Sequence, residues 1–174
     1  MKPAYKTGIK TGLAAGIFAI SCFSLFNWLN TKNGWGIQPA TIRGISGLVT
    51  ILIQGVGIYF SMSGTKTVQS GSLSYGAAFK AGFTVAVITA LITAFCALVF
   101  CTVINPGYSD YMINEAHKDL AASGESVKQI AQDMVAVRWE FSVGGQVTAA
   151  LVAQTFIGTI ITLILGIFMK SKRS

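Results

Sequence analysis

Charge is what this chain has least of: 11% of its 174 residues are charged, where a soluble globular domain carries about 25%. Six residues are acidic and one, His117, is a histidine, which leaves little material for carboxylate pairs or metal-ligand clusters. His117 has Glu115 and Asp119 two positions to either side, a spacing that does not put the three groups on one helical face. Cys22, Cys96 and Cys101 include no Cys-x-x-Cys pair, and their spacing fits neither a zinc site nor a redox motif. They read as small packing residues. A Ser-His-Asp set, a Gly-rich phosphate loop and a paired-carboxylate motif are all missing. These absences argue against an enzyme; no catalytic, cofactor-binding or metal residue is expected and no cofactor is implied.

What is present is apolar. Hydrophobic residues make up 52% of the chain and the mean hydropathy is +0.62. The net charge of +7 does not come from a basic patch on a polar surface. The basic residues punctuate apolar runs, as in a membrane protein, so a nucleic-acid partner is not expected. Between Lys10 and Lys32 lie 21 uncharged residues, and between Arg43 and Lys66 lie 22. Lys80 and Asp110 enclose 29, as do Glu140 and Lys170. A helix crossing the bilayer needs about 20 such residues. Four transmembrane helices follow, over approximately 11–30, 44–63, 80–104 and 142–169, in a single domain covering 1–174. The first run has a lipoprotein-like Ala19-Ile20-Ser21-Cys22 box, but it continues through Phe23, Leu25, Phe26, Trp28 and Leu29. That is longer than a secretory signal's apolar core, and a span is expected.

Orientation follows from asymmetry. With the amino terminus cytoplasmic, the inner segments hold eight basic residues (Lys2, Lys6, Lys10, Lys66, Lys80, Lys170, Lys172 and Arg173) and no acid. The outer segments hold five basic residues and all six acids. Trp28, Trp35 and Trp139 fall at the outer ends of spans. Both termini are therefore expected in the cytoplasm of a multi-pass inner-membrane protein.

Residues 105–141 are the sizeable water-exposed piece. Asn105-Pro106-Gly107 should end the third helix. A short helix with Met112, Ala116 and Leu120 follows and stops at Ser123-Gly124, and Ser126 with Gln129 forms a capping-box pattern for the next. The apolar stripe Val127, Ile130, Met134, Val137, Phe141 continues in register through Gly144, Thr148, Leu151, Thr155, Gly158 and Thr162, so one uninterrupted helix is expected there. The fold class is all-α: an integral membrane four-helix bundle with a helical hairpin outside the membrane between helices 3 and 4.

Small residues line the spans. Gly8, Gly12 and Gly16 form a double GxxxG, and Ala78, Gly82, Ala86, Ala90 and Ala94 run down one face of the third helix. Such stripes let backbones approach closely, mainly within the chain's own bundle. The charge-free runs contain no ionisable residue, which argues against a proton-coupled transporter or pump. Ser, Thr, Asn and Gln do occur there, notably Asn27, Gln54, Thr89, Thr93, Gln146, Gln154 and Thr155.

Between the second and third spans the chain reads Gly71-Ser72-Leu73-Ser74-Tyr75-Gly76-Ala77-Ala78-Phe79-Lys80-Ala81-Gly82. Ser74 is a plausible helix cap, with Tyr75 and Phe79 stacked one turn apart. Together with the exit Asn105-Pro106-Gly107-Tyr108, this loop resembles the signature of a bacterial family known as domain of unknown function 4199. The resemblance covers essentially the whole chain. It implies a small four-helix inner-membrane protein and carries no activity or site residues. The expected role is a non-enzymatic accessory or scaffold subunit whose partners are the lipid bilayer and a second copy or another membrane protein, associating through small-residue faces and the outer hairpin. The alternative is a small oligomeric channel or facilitator for an uncharged solute, with Gln and Thr along its path.

Overall fold

A computed structural model describes residues 3–33, 39–124 and 126–171. Trp35, Lys2, Lys172 and Arg173 lie outside the described residues. Six α-helices account for most of the chain: α1 (Pro3–Asn33), α2 (Pro39–Val68), α3 (Tyr75–Val99), α4 (Tyr108–Ala122), α5 (Val127–Phe141) and α6 (Val143–Met169). Four segments are long and apolar enough to cross a membrane: Pro3–Asn30, Thr41–Val68, Tyr75–Ile104 and Val143–Met169. They outrun the charge-free stretches because the helices carry Lys6, Lys10, Arg43, Lys66 and Lys80 near their ends, where long side chains can reach water.

Local chemistry sets the ends. Pro39 opens α2, where its missing N–H is an orphan anyway. Gly71, at φ +85°, closes it by donating to the Lys66 carbonyl at 3.0 Å. Ser74 caps α3 as its sequence position suggests, its hydroxyl accepting from the Ala77 N–H at 3.2 Å. Tyr75 does not stack on Phe79; Phe79 stacks on Phe83 at 5.6 Å, while the Tyr75 ring lies against Gly166 of α6. The helix of α3 widens to a π-helical turn over Phe100–Ile104, closed by the Asn105 N–H on the Phe100 carbonyl at 2.8 Å, and the chain leaves it at Pro106. Ser126 caps α5 through the Gln129 N–H, but the Gln129 side chain turns to Asp133, so half of the capping box forms.

One expectation fails. The chain does not run as one helix from 127 to 169. It bends at Ser142, whose extended backbone (ψ 156°) ends α5 while its hydroxyl accepts from the Gly145 N–H at 3.0 Å and starts α6. Gly145 permits the bend: a Cβ there would collide with the Trp139 carbonyl oxygen. The bend rotates the register, so Gly144 and Thr148 face outward while Gly145 is buried; the expected stripe is inside only from Gly158 and Thr162 onward. A helical pattern alone could not reveal this, because Ser-x-Gly-Gly reads equally well as small-residue helix.

α3 packs against α1, α2 and α6. Gly8, Gly12 and Gly16 receive Ile88, Ile92 and Cys96 of α3; a Cβ on Gly12 would lie 2.9 Å from the Ile92 Cβ. On the other side, Gly82 meets Thr162 and Gly158 meets Ala86, where a Cβ added to Gly158 would lie 2.6 Å from the Ala86 Cβ. Gly57 of α2 receives Thr11 of α1. The small-residue stripes are thus occupied within the chain. At the end holding the termini, Ile58, Met62, Leu73, Ala78 and Val85 form a buried cluster. Beside it, the Leu73 N–H donates to the Ser171 hydroxyl (3.0 Å) and the Ser171 N–H to the Leu73 carbonyl (2.9 Å), clasping the last turn to the loop. At the other end Phe100, Cys101, Tyr108, Met112 and Phe141 cluster, with Ala116 and Val137 against them. Met134 is buried and Ile130 half-buried, as a packed α4–α5 pair requires; Val127 is not.

Two neighbouring glycines separate close packing from open space. Gly145→Ala should destabilise the protein by about 1–3 kcal/mol, since backbone cannot step aside for a methyl. Gly144→Ala, whose Cβ would have nothing nearer than 3.9 Å, should be neutral or stabilising by up to about 1 kcal/mol. Thermal unfolding in one detergent would compare them.

Candidate functional site

The bundle is polar inside. Its outward faces carry Leu52, Phe60, Leu91, Phe95, Phe156 and Ile167, while Thr11, Ser46, Thr50, Gln54, Ser61, Thr89, Thr93 and Thr162 are buried. Two of the hydroxyls satisfy themselves within their own helix: Thr50 donates to the carbonyls of Ser46 (2.9 Å) and Gly47 (2.8 Å), and Thr93 to those of Thr89 (2.9 Å) and Ala90 (3.1 Å). Such bonds hide a polar group without holding helices together.

Other ties cross between the long helices. Gln54 Nε2 donates to the Gln154 carbonyl at 2.9 Å, Gln154 Nε2 to Thr50 Oγ1 at 3.5 Å, and Ser61 Oγ to the Ala81 carbonyl at 3.2 Å. The Oε1 atoms of both glutamines are buried without a protein donor, as are the hydroxyl oxygens of Thr89 and Thr162. A buried acceptor left unpaired costs about 1–3 kcal/mol.

On the α4–α5 side of this polar layer the helices splay around a cavity of about 210 Å³. All four long helices line it, with Thr50, Thr93 and Gln154 at one end and Arg43, Tyr108 and Gln146 at the other. Arg43 pairs with Glu140 at 2.8 Å and lies 4.9 Å from the centre of the Phe141 ring. Gln146 Nε2 reaches the Glu140 carbonyl at 3.1 Å. Phe23, Phe100 and Tyr108 pack in a trio with ring centres 5.2–5.9 Å apart. Burial pushes the Tyr108 phenol up to about 12, against a smaller downward pull from Arg43.

Of the polar residues singled out by sequence, the structure joins Gln54 and Gln154 in one contact, buries Thr89 and Thr93 beside them, and puts Gln146 at the far end of the cavity. Thr155 and Asn27 are half-buried elsewhere. Arg43, Ser46, Thr50 and Tyr108 were missed. Ser46, Thr50 and Gln54 recur every fourth residue, a signal that was there to read; Arg43 was set aside as a boundary marker. His117 is exposed and Glu115 pairs instead with Lys118 at 2.7 Å, which raises the Lys118 pKa. Among the described residues no group of three or more His, Cys, Asp or Glu could hold a metal.

The fold and its polar interior define a class: an all-helical protein with four membrane-span-like helices, built as a multi-pass membrane protein is built. Within that class, residues 6–171 match the family described as "Protein of unknown function (DUF4199)", and the chain belongs to it. No curated protein and no solved structure matches the chain.

Two outcomes follow from this geometry. Gln54→Met, which removes a half-satisfied amide and keeps its length, should change stability by about 1 kcal/mol or less, near what interhelical hydrogen bonds are worth in membranes. Chemical denaturation in mixed micelles measures it. For Tyr108, the folded state favours the neutral phenol, so its stabilisation is complete below the unfolded value near 10 and is lost as pH rises through about 12. Alkaline titration by tyrosinate absorbance should show a late component that Tyr108→Phe abolishes.

Proposed function

We propose that this protein is a non-enzymatic accessory or scaffold subunit of the bacterial inner membrane, with both termini cytoplasmic and the α4–α5 hairpin outside, where it docks a second membrane protein. The supporting observation is a row on α5. Val127, Ala131, Val135 and Trp139 stand every fourth residue along its open face, with Val127 86%, Val135 71% and Trp139 63% exposed. The neighbouring face of the same helix is already used by Met134 and Phe141 inside the chain. An apolar row left facing water beside a packed one is the usual mark of an interaction surface. The small-residue stripes do not support docking through the spans, because Ile88, Ile92, Cys96 and Thr162 occupy them.

The solute-path alternative finds less support. Beyond Gln54, the residues Ile58, Met62 and Val85 are fully buried and leave the terminal half of the bundle filled. The asymmetric division of basic residues and the exposed Trp28 and Trp139 at the hairpin end support the orientation.

A photo-crosslinking amino acid at Val135 should capture one discrete membrane-protein partner in intact cells. Val127→Ser with Val135→Ser should abolish that capture, with thermal stability changed by less than about 0.5 kcal/mol because both side chains are exposed. A reporter fluorescing only in the cytoplasm should light when fused after Ser174 and stay dark when inserted near Gly124. Absence of any crosslink, or the reverse fluorescence pattern, would overturn the proposal.

A further inference from the structure

Lys10 is an exposed cation on α1, and Lys6, also exposed, stands one turn away on the same face. Neither takes part in the ion pairs present among the described residues, Arg43–Glu140 and Lys118–Glu115. The chain has no acid near enough to serve them. All six fall between residues 110 and 140, and those described stand on α4 and α5, at the opposite end of the bundle. Like charges one turn apart repel each other. The span Pro3–Asn30 has 28 residues, about 42 Å of helix against about 30 Å of hydrocarbon. Lys10, about 10 Å from the start of that helix, therefore lies at the hydrocarbon edge, where a charge is costly without a counter-charge. The counter-charge comes from outside the chain.

Beside Lys10 the surface is recessed. Thr7, Thr11 and Ala14 make a short-sided face on α1, with Thr11 against Gly57, while Leu52, Val56 and Phe60 stand exposed on α2. The groove between them has a volume of about 570 Å³ and, apart from Lys10 and the two threonines, an apolar lining. Thr7 keeps its hydroxyl proton on the Pro3 carbonyl, at 3.0 Å. From Phe60 to Val49, α2 rises about 16 Å, close to half the hydrocarbon thickness. The groove is thus as long as one leaflet is deep. It is charged toward the end nearer the termini and apolar from there to the midplane. An acyl chain under an anionic headgroup has that outline. A zwitterionic headgroup brings its own cation beside its phosphate and neutralises a lysine less well. A second copy of this chain, inserted the same way round, has no acid at this level.

We propose that the α1–α2 groove is a binding site for one anionic phospholipid, whose phosphate is held by Lys10 and Lys6 while an acyl chain lies along Val56 and Leu52. The site uses neither the α4–α5 hairpin nor a protein partner. Its chemistry is the same whichever side of the membrane the termini face.

Photoactivatable lipids test it on the full chain in nanodiscs. Phosphatidylglycerol or phosphatidylcholine carrying a diazirine in one acyl chain is added in trace amount, and the adducts are mapped by peptide mass spectrometry. Val152 and Phe156 of α6, exposed and each 14 positions along the chain from the nearest basic residue, serve as the internal control. Labelling at Ala14, Leu52 and Val56 should favour phosphatidylglycerol by at least about fivefold, the preference one lysine gives at an anionic surface. The control face should take both lipids equally. Lys10→Gln should cut the groove's preference about fivefold, and Lys10→Arg should keep it. A preference in the groove no greater than at the control face, one that survives in a folded Lys10→Gln protein, one lost equally in Lys10→Arg, or a groove crosslinked to a second copy in place of lipid would each overturn the assignment. The comparison of the two lipids on the native protein decides the matter even where a variant does not fold.

Discussion

Everything in this bundle depends on how closely helix backbones approach α3. Lipid tails are as apolar as leucine, so burying large hydrophobic side chains between helices gains little, and association has to come from tight contact of small ones. The chain meets that constraint by setting glycine against a bulkier residue at each interface. Gly8 and Gly12 take the branched side chains of Ile88 and Ile92 and Gly16 takes Cys96, all from α3, and Gly82 and Gly158 admit Thr162 and Ala86 from opposite directions. The large apolar residues that would form a core in water face outward instead. An interior assembled from small residues then has room for hydroxyls and amides, which is why the polar layer lies where it does.

That layer divides the molecule. Toward the termini, Ile58, Met62, Leu73 and Val85 fill the space. Toward the α4–α5 pair the helices enclose a cavity, bordered by an ion pair, a buried phenol and a cluster that includes residues from the π-helical turn, α4 and α5. The bend at Ser142 belongs to the same arrangement. It turns α5 away from the axis of α6, so that Phe141 can pack against Phe100 and Tyr108 while Glu140 reaches Arg43.

The spans, the glycine stripes, the break at Pro106 and the caps at Ser74 and Ser126 could be read from the sequence because each rests on local chemistry or on a single helical period. The register of α6 could not. It depends on a carbonyl–glycine contact between Trp139 and Gly145, and a periodic pattern continued through 142 hides the interruption. The cavity was half legible. Gln54 and Gln154 stood out as amides in apolar runs, but their meeting joins residues 100 positions apart. Arg43 was hidden by its own charge: a basic residue used to mark where a span begins is not also tested as part of a site. Tyr108 owes its role to burial beneath α5, which no property of its neighbours in sequence announces.

The clasp between Ser171 and Leu73 bears on the order of assembly. The Ala–Gly face of α3 has to wait for α6, which is synthesised after it, and during that interval it is an open surface in the membrane. The closing hydrogen bonds come later still, from a residue at the end of that helix, which takes up the Leu73 amide and meets its carbonyl in turn. A chain halted shortly before Ser171 would hold every span yet leave the loop that leads into its central helix without this fastening.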